Sequence, residues 1–137
     1  MSAYHLQIVT PAGLHFDGQA EKLIVRTTTG DMAVLARHIN CVCSLGMGRA
    51  VVVINGERKT AACIGGMLQV LNGDVTLVPT TFEWAEDIDV ARADAAYENA
   101  QQAIHAAGEK DNLVLLKAKA KLNRALVRKS VADEILK

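Results

Sequence analysis

The sequence predicts an α+β protein in which an antiparallel β-sandwich or barrel of about 8–10 strands precedes an antiparallel two-helix hairpin. Two observations predict this order. Through residue 82, short β-branched segments alternate with turn residues at the spacing typical of small all-β domains. From Ile88 onward, apolar residues recur with the period of an α-helix. We therefore place a β domain at residues 1–84 and a helical hairpin at residues 85–137.

Strand predictions in the first part come from apolar runs bounded by glycine, proline and asparagine. Asn55-Gly56 and Asn72-Gly73 are the strongest hairpin signals. Gly65-Gly66 is predicted to break one strand and Pro79 to end another, and the short run 32–35 is expected to be buried on both faces. The predicted extended segments are residues 5–9, 15–18, 21–27, 32–35, 41–45, 49–54, 58–64, 67–71 and 75–78.

The helical part is predicted from two apolar stripes. Asp87 and Asp89 suit the cap and first turn of the first helix, where carboxylates meet free N–H groups and the positive dipole end. Gly108 suits its end, and Asp111 or Asn112 suits the cap of the second helix. The stripes comprise Ala91, Ala95, Ala96, Ala100, Ala103, Ile104 and Ala107, followed by Leu115, Leu116, Ala118, Leu122, Ala125, Leu126 and Val127.

Composition and charge exclude several classes of protein. The chain has 137 residues, 50% of them hydrophobic, and a formal net charge of zero, which fits one folded domain rather than a disordered chain. No apolar run reaches the roughly 18 residues of a membrane helix, and the N-terminus lacks a signal-peptide pattern, so we expect no membrane insertion. The basic stretch 110–137 lacks aromatic residues to stack on bases, so we expect no nucleic-acid partner.

The cysteines do not indicate a disulfide framework, because their number is odd. Cys41 and Cys43, with His38 nearby, could be partial metal ligands, but the second ligand pair of a structural zinc site is missing. We expect no metal site and interpret Cys41, Cys43 and Cys63 as small buried thiols.

Four stretches, in this order and at this chain length, resemble the epsilon subunit of F-type ATP synthases over the whole chain. They are residues 6–13, residues 29–35 with His38 following, residues 65–70 followed by 74–77, and residues 85–93. One stretch departs from the family pattern Pro-Gly-His-x-Pro, because residues 36–40 here read Ala-Arg-His-Ile-Asn. The missing prolines leave the backbone around His38 less restricted.

The resemblance implies a non-catalytic subunit with no required cofactor, on the cytoplasmic face of a bacterial plasma membrane. It implies that Thr10, His38 and Cys43 contact the gamma subunit, and that a turn contacts the c-ring. It further implies that the hairpin can extend toward the alpha and beta subunits and inhibit ATP hydrolysis. The residues of the c-ring turn are Thr28, Thr29, Gly30 and Asp31.

ATP is expected as a regulatory ligand, because some bacterial members of the family bind it through a motif that residues 88–93 match. Arginine suits phosphate oxygens, and antiparallel helices would return Arg124 and Arg128 toward Arg92. The alternative is that Asp89 and Arg92 form an ordinary surface pair and that Arg124 and Arg128 are solvated. The matching residues are Glu83, Ile88, Asp89, Arg92, Ala93, Arg124 and Arg128.

Two other classes of function stay open. The chain could be a stand-alone β-sandwich interaction module with a helical tail, which would not co-purify with ATP synthase subunits. It could also be an enzyme that uses the acidic cluster as acid and base, but capping roles explain those carboxylates. The cluster comprises Glu83, Glu86, Asp87 and Asp89.

Overall fold

A computed structural model describes residues 2–107 and 112–136 of the chain. It divides the chain into two compact units, Met1–Trp84 and Ala85–Lys137. The first unit contains every strand named below, and the second contains the helices. The predicted helix end at Gly108 and the predicted cap at Asp111 lie outside the described residues.

The first unit is an open sandwich, which confirms the predicted fold class. Its strands are β1 (Tyr4–Thr10), β2 (Gly13–Ala20), β3 (Lys22–Thr27), β4 (Gly30–Leu35), β5 (Cys41–Ser44), β6 (Met47–Ile54), β7 (Glu57–Leu71) and β8 (Asp74–Trp84). They are ordered β2-β1-β8-β7-β6-β3-β4, and β5 also pairs with β7. The described pairs are antiparallel except β1 with β8, which is parallel.

Aliphatic side chains fill the space between the layers of this unit. Along β1, Leu6 and Ile8 are fully buried while His5 is exposed, which is the alternation expected of a strand with one face on the core. The leucine, isoleucine and valine side chains of this core that are 0% exposed are Leu6, Ile8, Leu23, Val25, Val34, Val52, Leu68 and Leu77.

The predicted break at Gly65-Gly66 is wrong, because β7 runs through both glycines. Their φ values of 69° and 101° bend the strand between its pairing with β6 and its pairing with β5. A Cβ on Gly66 would lie 2.1 Å from the carbonyl oxygen of Val78, so the close approach of β8 requires glycine here.

The predicted strand end at Pro79 is also wrong. Pro79 lies opposite Gly66 within β8, which continues to Trp84. Beyond Leu77, the described pairings of β8 are to β7 alone, so one side of the strand has no ladder for a proline to interrupt. The run 32–35 is buried on one face only, since Val34 is buried and Leu35 is 51% exposed.

The second unit begins with a 3₁₀ turn (Ala85–Asp87), followed by α1 (Val90–Ala107) and α2 (Asn112–Leu136). The helices pack together, and an ion pair of 3.2 Å between Lys129 Nζ and Asp94 Oδ1 fixes them as antiparallel. No described helix is long and apolar enough to cross a membrane.

Among the described residues, alanines rather than leucines form the buried positions of the two helices, with Val131 as the one larger buried side chain. Ala93 and Ala100 on α1 are buried, and so are Ala118, Ala125 and Ala132 on α2, each seven residues from the next. This spacing places them on one stripe of each helix, which we call the alanine seam. Four members of the apolar stripes are not buried: Leu116 and Leu126 are 66% and 49% exposed, and Ala91 and Ala95 are exposed.

Candidate nucleotide site and partner-contact residues

Asp89 caps the first helix, as predicted. Its Oδ1 accepts a hydrogen bond of 3.0 Å from the backbone N–H of Arg92, and its carbonyl oxygen accepts one of 3.0 Å from the N–H of Ala93. The first bond satisfies a donor that a helix start leaves free, and the second is the first regular backbone bond of the helix. Asp87 instead ends the 3₁₀ turn that precedes the helix. One carboxylate oxygen of Asp89 is therefore committed to structure.

The end of α2 lies beside the start of α1 in the helical unit. Lys129 joins Asp94 by the ion pair above, and its Nζ lies 4.3 Å from the ring centroid of Tyr97. The second helix also packs against the 3₁₀ turn. At about 1.5 Å rise per residue, this register places Arg128 beside the first turns of α1 and Arg124 about one turn further along.

The predicted arginines thus share one end of the helical unit. Arg92 is exposed in the first turn of α1, whereas Arg124 and Arg128 are half-buried on α2. Guanidinium groups keep their charge in such surroundings, so this end carries positive charge suited to phosphate. Lys129 belongs to the same group, and sequence reasoning missed it, because only the helix register shows that it faces Asp94 and Tyr97.

The predicted apolar wall is not open in this structure. Ile88 and Ala93 are only 8% and 3% exposed. Their side chains therefore contribute to packing around the start of α1 rather than to an accessible surface.

Glu83 belongs to the first unit, whereas the other six predicted nucleotide residues belong to the second. It lies at the end of β8 opposite Ala62 and is half-buried. Its neighbour Trp84 packs edge-on against Phe82, with centroids 4.9 Å apart, and carries the Lys59 Nζ 4.5 Å from its ring centroid. The fluorescence of Trp84 therefore reports on the β unit.

Of the four predicted c-ring residues, Thr28 and Thr29 form the turn between β3 and β4 and Gly30 and Asp31 begin β4, and all four are exposed. Gly30 has a φ of 130°, which glycine adopts at low cost. The Asp31 carboxylate accepts a 2.6 Å hydrogen bond from Arg26 Nε. This turn therefore presents a fixed ion pair together with the backbone and side chains of Thr28 and Thr29.

Thr10 differs from the other predicted contact residues because its side chain is used within the fold. It is only 6% exposed, its hydroxyl lies 2.8 Å from His15 Nε2, and its Oγ1 accepts a bond from the N–H of Ala12. Thr10 thus shapes the β1–β2 turn, and any partner contact there involves the turn rather than its hydroxyl.

His38 and Cys43 lie close to other soft side chains. His38 Nδ1 donates to the carbonyl of Ile39 at 2.8 Å and lies 4.0 Å from Cys41 Sγ. Cys43 Sγ lies 3.7 Å from Met32 Sδ. Burial first, and then a hydrogen bond with Cys43, raises the pKa of the Cys41 thiol. Sequence reasoning missed Met32, because β4 brings it there from outside the His-x-x-Cys-x-Cys stretch.

Two further observations concern metal binding and thiol reactivity in the described part of the chain. Within residues 2–107 and 112–136, no group of three His, Cys, Asp or Glu side chains could hold a metal ion by itself. Cys63 is separate and 3% exposed in the core, and burial raises the pKa of its thiol to about 12. Cys63 is therefore an inert thiol at neutral pH.

Comparison with known proteins places both units in one family. Residues 3–85 match the β-sandwich domain of the ATP synthase delta/epsilon chain, and residues 86–133 match its long α-helix domain. The chain is 34% identical, over 96% of its length and 94% of the relative's, to the ATP synthase epsilon chain of Caldanaerobacter subterraneus subsp. tengcongensis.

Two solved structures share the fold. A chain of the Euglena gracilis mitochondrial ATP synthase (OSCP/F1/c-ring) has a TM-score of 0.78 and 21% identity, with 100% of this chain and 83% of that chain covered. A chain of the Tetrahymena thermophila mitochondrial ATP synthase central stalk and c-ring has a TM-score of 0.59 and 12% identity, with 93% and 95% covered. The match of both units, in order and over nearly the whole chain, shows that this chain belongs to the family of ATP synthase epsilon chains.

Proposed function

We propose that the chain is a non-catalytic subunit of the central stalk of an F-type ATP synthase. In this role it joins the gamma subunit to the c-ring at the cytoplasmic face of a bacterial plasma membrane. The observation that carries the proposal is the match of both units, residues 3–85 and 86–133, to the two domains of one family. The likeness to chains from F1/c-ring and central-stalk assemblies supports these partners.

The proposed contacts use two parts of the β unit. The exposed turn with Thr28, Thr29, Gly30 and Asp31 serves the c-ring. The surface at His38 and Cys43, with the turn that Thr10 shapes, serves gamma. The absent prolines around His38 change the fit of this loop rather than the fold that presents it.

The helical unit has the proposed role of inhibiting ATP hydrolysis. Alanine methyl groups bury little apolar area, so the seam stabilises the hairpin weakly and the helices can leave each other. Exposed apolar residues on α2 then supply a contact surface for the alpha and beta subunits. They are Leu113, Val114, Leu116 and Leu126.

ATP is the proposed regulatory ligand of the closed hairpin. The positive end with Arg92, Arg124 and Arg128 offers charge for phosphates, and Asp89 offers an acceptor for the nucleoside. Asp89 has one carboxylate oxygen left for this, since the other caps α1. Ile88 and Ala93 act by holding the start of the helix in place.

Reconstitution with F1 that lacks its own epsilon subunit tests the subunit assignment. The purified full chain should form a stoichiometric complex with the gamma subunit, lower the ATPase rate of F1, and hydrolyse no ATP alone. If it binds neither isolated gamma nor the depleted F1, the assignment is wrong and a stand-alone interaction module is favoured. Hydrolysis that co-purifies with the chain and is lost in an acidic-cluster variant would favour an enzyme.

A calorimetric ATP titration of the full chain, with and without Mg²⁺, tests nucleotide sensing separately. We expect saturable binding that GTP does not reproduce and that Arg92→Ala and Arg128→Ala weaken at least about tenfold, or 1.4 kcal/mol each. Lys121→Ala is the matched control, because it removes an exposed charge from α2. Equal weakening of ATP binding by Lys121→Ala would show nonspecific charge attraction. Absence of binding at cellular ATP levels would contradict the proposal of ATP sensing but not the proposed role in the central stalk.

A further inference from the structure

Three sulfur-containing side chains of β4 and β5 lie near one another in the β unit. Cys41 and Cys43 are two residues apart on β5, so their side chains lie on the same face, opposite the buried residues Val70 and Leu68 of β7. Met32 reaches them from β4 and lies against Cys43. All three are partly buried and pack against the core. We call them the sulfur cluster.

We propose that the sulfur cluster of Met32, Cys41 and Cys43 binds a monovalent soft metal ion, with copper(I) as the ion of matching chemistry. Thiolate and thioether sulfurs select copper(I) over harder ions. The site requires the methionine, which agrees with the finding that no three His, Cys, Asp or Glu side chains of the described residues suffice to hold an ion.

The separation between two of the donor atoms fits such an ion. With metal–sulfur bonds of about 2.3 Å, two donors of a trigonal site lie roughly 4.0 Å apart. The distance from Cys43 Sγ to Met32 Sδ is 3.7 Å, so small side-chain rotations are enough to centre an ion. His38 is not counted among the ligands, because its Nδ1–H is already donated to the carbonyl of Ile39.

The binding step balances without electron transfer. Copper(I) plus two thiols and one thioether gives a bis-thiolate thioether complex and releases two protons, so binding strengthens as pH rises. The product carries one net negative charge, and the half-buried His38 imidazole lies 4.0 Å from one of its sulfurs. The bound ion would join β4 to β5.

An anaerobic titration of the reduced full chain with copper(I), against a chromophoric copper(I) chelator, tests the site. We expect one equivalent to bind, with a sulfur-to-copper charge-transfer band in the near ultraviolet and a rise in the unfolding midpoint followed at Trp84. Cys41→Ser and Cys43→Ser should each abolish the band. Met32→Leu removes a proposed ligand and should weaken binding at least about tenfold, because even the loss of an outer-shell partner at a metal site costs about 10- to 100-fold.

Two variants outside the sulfur cluster serve as matched controls. Cys63→Ala removes the core thiol and Met67→Leu removes a methionine that is 51% exposed on β7, and both should leave the affinity unchanged. Far-ultraviolet circular dichroism of each variant confirms that it is folded before titration. The proposal is overturned if no equivalent binds, if either control lowers affinity as much as the cluster variants, or if Met32→Leu has no effect.

Discussion

The two units of this chain bury apolar surface in opposite ways. In the β unit, the interior consists of large side chains, and Leu6, Leu68 and Leu77 are completely buried. In the helical unit, most buried residues are alanines such as Ala118 and Ala125, although Val131 and Ile88 are also buried, and Leu116 is 66% exposed. A buried leucine contributes about 1.5–3 kcal/mol through the hydrophobic effect, several times what one alanine methyl group contributes.

This difference teaches that stability is distributed unevenly along the chain. The β unit is expected to unfold last, and the helical unit is expected to open at a much lower free energy. The two events can be followed separately in the full chain. Trp84, the only tryptophan, reports on the β unit, and helical ellipticity at 222 nm reports mainly on the second.

The largest predicted effect is the loss of stability of the β unit when Gly66 is substituted. Gly66→Ala places a Cβ against the Val78 carbonyl at a φ of 101°, so strain and overpacking together should cost about 3 kcal/mol or more. Urea unfolding followed at Trp84 measures this loss. Gly73→Ala is the matched control, because its φ of 87° is also positive but nothing lies within 4 Å of its Cβ position. If Gly66→Ala lowers the free energy of unfolding by no more than the roughly 1 kcal/mol expected for Gly73→Ala, β8 can move away from the added Cβ at little cost.

The sequence predicted best those features that neighbouring residues determine. Asn55-Gly56 and Asn72-Gly73 form tight hairpins with positive φ at all four residues, because two-residue loops require that conformation. The Asp89 cap is likewise local, since its carboxylate bonds to the N–H three residues on. Alternating burial along β1 follows from the pleat of a single strand.

Features that depend on distant parts of the chain were not predictable in the same way. Gly65-Gly66 and Pro79 look like strand ends, yet they lie within strands because β7 changes partner there and β8 has an unpaired side. Helical periodicity treats leucine and alanine alike as apolar, so it could not show that the helices meet through the alanine seam. The approach of Met32 to Cys43 depends on the packing of two edge strands.

The second-largest predicted effect concerns the helical unit. The substitution enlarges a buried side chain, whereas most core mutations make one smaller. Ala125 is 1% exposed in the alanine seam, so Ala125→Leu should force the helices apart and cost about 1–3 kcal/mol. Thermal unfolding at 222 nm should shift down, while the Trp84 transition stays in place. Leu126→Ala, at the neighbouring exposed position, should change either transition little. A stabilising Ala125→Leu would show that the seam is loosely packed.

A smaller effect comes from the cap at the start of α1. Asp89→Ala removes the acceptor for the Arg92 N–H and should lower the stability of the helical unit by about 1 kcal/mol. Asp89→Ser should restore most of the loss, because a hydroxyl also caps, although it removes the negative charge. The midpoint at 222 nm measures both variants. Failure of serine to rescue would show that Asp89 acts through charge at the helix dipole rather than through its hydrogen bond.

The smallest effect is a pH dependence confined to the β unit. His5 Nε2 lies 2.5 Å from Asp17 Oδ1 and His5 Nδ1 lies 4.0 Å from Asp74 Oδ1, and the hydrogen bond to Asp17 is the main cause that raises the pKa of His5. Because the folded pKa exceeds the unfolded value of about 6.5, the pair stabilises fully below that pH and loses its contribution as pH rises through the folded pKa. The stability advantage of the native chain over His5→Gln, followed at Trp84, should therefore shrink as pH rises from about 6.5 through the folded pKa of His5. Asp17→Asn should remove the same pH-dependent part of the stability. Because the His5 and Asp17 side chains are both 43% exposed, added salt should also weaken their ion pair in the native chain. If the stability curves of the native chain and His5→Gln run parallel across this range, the His5–Asp17 pair does not stabilise the pairing of β2 with β1. The greater stability of the β unit would then come from its aliphatic core.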